Sequence, residues 1–399
     1  MAKNKGSVMK SFKLTKNQAE LLAKKYPTPL AIISTDKIEE NYRFLQKNMP
    51  RVRVFYAMKA NPSPIIINKM MELGASFDVA SGGEINTLTQ MGVSGDKMIY
   101  ANPIKTVQGL KTAAECNVDK FTYDTEQEIA RMAQYNPGAK VLLRLRIKNA
   151  KALVNLNEKF GAGPDEAISL LQKAKEQGLN PIGLAIHVGS QTLSTEPYHE
   201  AFAMCRTIID EAKKQGLDLK VLDIGGGLPV PAPDTCVNLE AMVKDINESL
   251  EKTFPDIEIW SEPGRYICGT AMNAVMRVIG KQARDGQMCY YLDDGVYGIF
   301  TGVFYDHWEY ELNTYKAGKM LPSTFFGPTC DSLDVISKSY LSPDLDMDDI
   351  VVACDCGAYT TAASTDFNGF EKAKILHWEA EKAQLVKVLA EKDNCEQAI

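Results

Sequence analysis

Between residues 52 and 262, short runs of β-branched and aromatic residues alternate with longer stretches whose apolar positions recur three and four apart. That alternation predicts strands, each followed by an amphipathic helix. The strand-like runs are VRVFYA (52–57), SFDVA (76–80), KMIYA (97–101), KFTYD (120–124), KVLLRLR (140–146), IGLAIHVG (182–189), KVLDIG (220–225) and IEIWSEP (257–263). Between them, EAISLLQKAKEQG has helical apolar spacing with Gly178 as its stop, and EAMVKDINESLEKTF repeats the pattern. Eight strand-helix units in succession predict a closed, eight-stranded α/β barrel of the TIM type over residues 37–270. An open doubly wound sheet would more often stop at five or six strands.

Past Pro263 the texture changes. CYYLDDGVYGIF, DIVVACDCGAYTT and KAKILHWEA read as strands broken by Gly, Pro and Asp turns, which predicts an antiparallel β-domain over 271–399. In the N-terminal segment, 1–36, PLAIIST is a strand expected to join that β-domain, and Asp36 is the expected N-cap of the helix DKIEENYRFLQKNM. The chain shows no internal repeat and no low-complexity linker, so the two domains are expected to pack closely.

Composition adds exclusions. At 399 residues, 45% hydrophobic and 24% charged, the chain has the balance of a globular protein with a large core. A formal charge of -6 argues against a nucleic-acid partner, which would need a concentrated basic face, and suits a cationic small substrate. The N-terminus lacks an apolar signal region, and no run reaches the roughly 18 apolar residues of a membrane helix. The expectation is therefore a cytoplasmic protein with no membrane partner. Nine cysteines without CxxC spacing argue against a disulfide framework and against a structural metal site.

In such a barrel, chemistry sits at the C-terminal ends of the strands. YAMKANP places Lys59 there, either as a solvated surface amine or as a partly desolvated one. Desolvation would lower its pKa and free the amine to form a Schiff base. HVGSQ puts His187 and Ser190 on the rim, although His187 reads equally as a satisfied core residue. Gly225, Gly226 and Gly227 of DIGGGLP would let backbone N–H groups approach an anion. Their spacing is neither the dinucleotide fingerprint nor the Walker pattern, but they follow the seventh strand, where barrels commonly bind phosphate. SEPGRYI adds Glu262, Gly264 and Arg265. Amine, glycine loop, arginine and carboxylate together are what a pyridoxal phosphate site requires.

In this order, YAMKANP, FDVASGGE, HVGSQ, DIGGGLP, SEPGRYI, YDH, GPTCDSLD and GAYT resemble the ornithine/lysine decarboxylase family of fold-type III pyridoxal enzymes, especially its bacterial lysine/ornithine members. The resemblance runs over about residues 27–380. It implies that Lys59 carries pyridoxal 5'-phosphate as a Schiff base, that Glu262 contacts the pyridine nitrogen and that His187 stacks on the ring. It further implies that Ser190, Gly227, Arg265 and Tyr359 cradle the phosphate, that Asp78 and Glu84 neighbour the lysine and ring, and that Arg144 lies near the ring hydroxyl. Cys330 and Asp331 would reach into the site of a partner subunit, making a homodimer with shared sites. Tyr305, Asp306 and Asp331 would bind substrate, the two aspartates facing its distal ammonium, and Cys330 would control protonation of the product. On the residues alone, Asp306 is a strand-end turn residue and Cys330 a buried small hydrophobe.

The implied reaction is decarboxylation of L-lysine, L-ornithine or both, to cadaverine and putrescine, in diamine and polyamine synthesis. Alanine racemase lacks the GPTCDSLD segment. Diaminopimelate decarboxylase typically has Glu after the Cys where this chain has Asp331. A regulatory homologue without cofactor would have replaced the lysine, the cysteine or the phosphate ligands. Arginine stays open as a substrate, although arginine enzymes of the family are generally much longer and carry extra segments absent here. One methylene separates lysine from ornithine and is worth only about 1–3 kcal/mol. The choice depends on where KALVNLNEKFG and an expected helix after GPTCDSLD come to rest.

Overall fold

The computed structural model describes residues 9–147, 159–232 and 237–384. Strand β1 is Leu30–Ile33. Eight further strands then alternate with helices: β2 Val52–Ala57, β3 Ser76–Val79, β4 Met98–Tyr100, β5 Lys120–Tyr123, β6 Lys140–Arg144, β7 Asn180–Ala185, β8 Val221–Asp223 and β9 Glu258–Ser261. They coincide with the eight predicted runs to within a few residues. Strands β2 to β9 form a closed barrel, all parallel, and β9 closes it onto β2 with Ile259 opposite Val52. The runs extend past the strand ends because their last residues leave the ladder to form the rim. Phe55, Ile99, Leu142, Ala185, Val221 and Trp260, from six of these strands, form a separate buried cluster that fills the barrel interior. A barrel so filled leaves room for a cavity only at its ends.

The helix after β1 spans Thr35–Asn48, and its N-cap is Ser34, not Asp36. Ser34 is extended (φ -96°, ψ 115°) and its Oγ accepts from the Lys37 N–H at 3.3 Å. Asp36 falls in the first turn, where its charge complements the helix dipole. Gly178 (φ +82°) follows the helix Ala167–Glu176 as expected.

The second sheet holds β10 Met272–Arg284, β11 Gln287–Leu292, β12 Leu312–Asn313, β13 Leu321–Phe326, β14 Val335–Ser342, β15 Ile350–Ala353 and β16 Lys374–His377. Its main path runs β12-β15-β10-β11-β13-β14, and β1 joins it between β10 and β16. Most pairings are antiparallel, but β1–β16 and β11–β13 are parallel, so the sheet is mixed. The hairpin β10–β11 turns on Asp285 and Gly286, both at positive φ, as a tight two-residue turn requires. Leu30 and Ile32 pack with Ala19 and Leu22 of the helix Lys16–Lys25, while Ala31 and Ile33 face the main core. The segment after GPTCDSLD is strand β14 and not a helix; VISKSYLS is rich in strand-forming residues and lacks a helical apolar stripe. Most of KALVNLNEKFG and all of the C-terminal AEKDNCEQAI lie outside the described residues. Among the described residues no helix is long and apolar enough to cross a membrane, and no cluster of side chains could hold a metal ion.

Candidate active site

A cavity of about 400 Å³ opens above the barrel plug, where the ends of β2, β6, β7, β8 and β9 meet residues of the second domain. Lys59 enters it from the short turn Met58–Ala60 that follows β2. Its Nζ donates to Asp78 Oδ2 at 2.8 Å, and Asp78, on β3, is 2% exposed. Burial opposes the charge on Lys59, but attraction to Asp78, Tyr359 and Glu262 outweighs it and holds the ammonium above its ordinary pKa. The expectation of a lowered pKa is thus corrected: the acidic surroundings, the Asp78 carboxylate foremost, win over desolvation.

Glu262 lies just past β9 and is fixed by its backbone N–H, which donates to Gly225 O at 2.8 Å. Burial, then repulsion from Asp223 and Asp78, raises its pKa well above the carboxylate range. Asp223, the last residue of β8, accepts from the Gly225 N–H at 2.8 Å and is pushed up to about 6, chiefly by burial. The two carboxyls act as a pair that retains a proton above the usual range. Sequence reasoning missed Asp223, although it opens the quoted DIGGGLP; its position at a strand end was the available signal.

His187 follows β7. Its Nδ1 accepts from the Gly189 N–H at 3.0 Å, which leaves Nε2 to carry the ring proton. Burial, then the positive charges of Arg144 and Lys59, lowers its pKa well below the ordinary value, so the ring is neutral. The ring lies close against the glycine loop. A Cβ on Gly225 would come within 2.4 Å of Ile186 O and 3.1 Å of His187 Cδ2, and one on Gly226 within 3.2 Å of His187 Nε2. Side chains are therefore excluded there by close approach. Arg144, at the end of β6, lines the cavity beside Lys159 and Phe160, and its buried Nη2 has no hydrogen-bond partner among the described residues.

At the opposite corner Arg265 Nε donates to Ser190 Oγ at 3.3 Å and Nη2 to Asp306 Oδ2 at 2.5 Å. Its guanidinium lies over the rings of Tyr359 (4.9 Å) and Trp308 (5.1 Å). Gly226, Gly227 and Gly264 border this corner. At Gly227 (φ +109°) a Cβ would stand 2.7 Å from Gly189 O.

The cavity thus gathers Lys59, Arg144, His187, Ser190, Gly226, Gly227, Glu262, Gly264, Arg265, Asp306 and Tyr359. Asp78 and Gly225 support it from behind, and half-buried Glu84 is tied to the Ala80 N–H at 2.6 Å. Three expected substrate contacts lie elsewhere in this chain. Tyr305 is 70% exposed; Cys330 is exposed, not the buried hydrophobe of the residue-only reading; and Asp331 accepts from the Tyr297 hydroxyl. An amine, a buried proton-bearing carboxyl pair, an unbonded Arg144 Nη2 and a glycine-lined cationic corner fit a phosphorylated aldehyde cofactor.

Comparison with known proteins agrees. Residues 35–269 match the family described as pyridoxal-dependent decarboxylase, pyridoxal binding domain. The chain is 47% identical over 386 residues to the lysine/ornithine decarboxylase of Selenomonas ruminantium, covering 96% of this chain and 98% of that protein. The solved structure of SrLDC in complex with PLP and cadaverine superposes with TM-score 0.91 at 45% identity, over 96% of this chain and 99% of that one. The Vibrio vulnificus lysine/ornithine decarboxylase complexed with putrescine gives TM-score 0.86 at 36% identity, over 92% and 99%. With the family match over 35–269 and 47% identity over nearly the whole chain, the chain belongs to the pyridoxal-dependent decarboxylases.

Proposed function

We propose that this protein is a pyridoxal-phosphate-dependent decarboxylase of L-lysine, L-ornithine or both, releasing cadaverine or putrescine, and that it works as a homodimer. The observation that carries the reading is one cavity lined by Lys59, Glu262 and the Arg265 corner, with Asp78 and Asp223 buried behind the first two. The relatives above support the choice of substrate. When bound, pyridoxal phosphate supplies the electron sink that takes up the pair left on Cα as carbon dioxide departs.

The chain's own groups do the rest. Lys59 is the amine for the aldehyde, and Asp78, at 2.8 Å, is placed to take the proton it must lose. Glu262, made more basic by Asp223, keeps the ring nitrogen protonated. Neutral His187 covers the ring face without adding positive charge, and Arg144 Nη2 is free to meet the ring hydroxyl. Arg265, Ser190, Gly226, Gly227 and Tyr359 hold the phosphate. Asp306 and the partner subunit's copies of Asp331 and Tyr305 attract the distal end of the substrate, and a partner copy of Cys330 governs return of the proton to Cα. Exposure of Cys330, Tyr305 and Leu333 in one chain supports this sharing. The reading also places the enzyme in the cytoplasm, in diamine and polyamine synthesis.

The test is steady-state carbon dioxide release from L-lysine, L-ornithine, L-arginine and meso-diaminopimelate, with added cofactor, beside Lys59→Ala. The expected result is turnover of lysine or ornithine that falls by more than about 10³-fold in the variant. The ratio of kcat/KM values then ranks the substrates. Absence of turnover with all four overturns the reading.

A further inference from the structure

Among the side chains around Arg265, Trp308 has no part in the chemistry assigned above. It is buried, and it is presented by a tight turn. The backbone N–H groups of Asp306 and Trp308 both donate to Gly302 O, at 3.0 and 2.9 Å, and His307 between them adopts a left-handed φ of +49°. At Gly302 a Cβ would stand 3.3 Å from Trp308 Cβ, so the turn closes tightly on a glycine. The turn sets Asp306 and Trp308 side by side against one guanidinium: Asp306 on Nη2 at 2.5 Å, and the indole ring with its centroid 5.1 Å from Cζ.

We propose that Trp308 is a positioning residue that orients Arg265 to receive the cofactor's phosphate. This rests on the reading of Arg265 as a phosphate ligand. An arginine side chain has many rotamers, and a guanidinium binds phosphate well only when its plane and edge are set. Hydrogen bonds to Ser190 and Asp306 fix the Nε and Nη2 positions. The Tyr359 and Trp308 rings restrict the plane, and Nη1 makes no hydrogen bond among the described residues. Orientation fixed before binding is a cost that binding then does not carry. Asp306 also dilutes the positive charge that attracts phosphate, so its removal would mix two opposing effects. Trp308 is neutral, so its replacement by another neutral side chain leaves the charge of this corner unchanged.

The experiment is equilibrium dialysis of cofactor-free protein against pyridoxal 5'-phosphate and, separately, against pyridoxal, which lacks the phosphate. The proteins are wild type, Trp308→Leu, Trp308→Met, Trp308→Phe and Arg265→Ala. The expected result is that Trp308→Leu and Trp308→Met weaken pyridoxal phosphate binding roughly three- to tenfold, with pyridoxal binding unchanged, while Trp308→Phe stays near wild type. Equal weakening of both ligands in the Leu and Met variants overturns the proposal in favour of simple packing. So does unchanged binding of both. Arg265→Ala separates the two levels: if it leaves the preference for the phosphorylated ligand intact, the phosphate reading of Arg265 fails. If it removes that preference and the Trp308 variants do not, only the positioning role fails.

Discussion

The barrel rim and the loop carrying Cys330 are both tightly hydrogen-bonded, yet the rim turns its groups into a cavity and the loop turns its groups to solvent. On the rim, Lys59, His187, Glu262 and Arg265 each have named partners and share about 400 Å³ of space. In the loop, buried Asp334 accepts from the N–H of Val296 (2.9 Å) and from the N–H and Oγ1 of Thr329 (3.0 and 2.7 Å). Gly295 and Gly327 leave room for it, since a Cβ on either would come within 2.2 Å of Asp334 Oδ1. Cys330 N–H donates to Asn368 Oδ1 at 3.1 Å and Leu333 N–H to Asp331 Oδ1 at 3.0 Å. Leu333 nevertheless remains 61% exposed. A loop ordered at this entropic cost, with its apolar and reactive groups outward, has the character of a surface shaped for contact. The difference is the one that the proposed sharing of sites requires, with the cofactor end from one chain and the rest from a second copy.

The most severe way to break that comparison is complementation. Lys59→Ala is expected to lose activity by more than about 10³-fold and Cys330→Ala by roughly 10²-fold or more. Mixed under conditions that exchange subunits, half of the dimers are hybrids, and each hybrid has one site with both residues intact. Recovery of about a quarter of wild-type activity is expected. If Cys330 served the cavity of its own chain, no hybrid site would be complete and mixing would restore nothing.

A smaller effect sharpens the same contrast. Leu333→Asp places a charge on the exposed apolar residue of the loop without touching the cavity. The dimer dissociation constant, read by analytical ultracentrifugation, is expected to rise roughly tenfold to a hundredfold. Cofactor affinity per chain should stay at the wild-type value. A dimer as tight as wild type would remove Leu333 from the interface.

How much of this was legible in sequence follows the same division. The barrel strands were readable because each carries a compact β-branched or aromatic run ending at a rim residue, as in VRVFYA ahead of Lys59. The second sheet was less so: the parallel pairing of Leu30–Ile33 with Lys374–His377 joins segments hundreds of residues apart, and nothing local encodes it. The Ser34 cap was hidden by the equally suitable Asp36 two positions on. Lys59 was misread in the sign of its shift because the approach of Asp78, Tyr359 and Glu262 exists only once the barrel closes. Trp308 was invisible for the same reason, since its partner Arg265 sits on the rim of the other domain.

The last prediction concerns the base on which the loop stands. Asp294 accepts from the N–H groups of Gly295 (2.7 Å) and Ile299 (3.1 Å) and so shapes the turn that carries Tyr297, the partner of Asp331. Burial, and then repulsion from Asp293 and Asp334, pushes its carboxyl up to about 7. Between about pH 4 and 7 the unfolded chain has released this proton and the folded chain keeps it, so the folded state binds more protons and loses stability as pH rises. The limiting slope from one such group is about 1.4 kcal/mol per pH unit. Asp294→Asn keeps an acceptor oxygen for the two N–H groups and removes the titration. Urea unfolding at a series of pH values should therefore show the variant gaining on wild type from pH 4 to pH 7 and running parallel above it. Asp223, on the barrel side, still titrates in both proteins, so the difference between them isolates the loop's support from the rim. A constant difference across the range would mean that Asp294 is ionised in the folded protein and that the loop's base carries its charge without penalty.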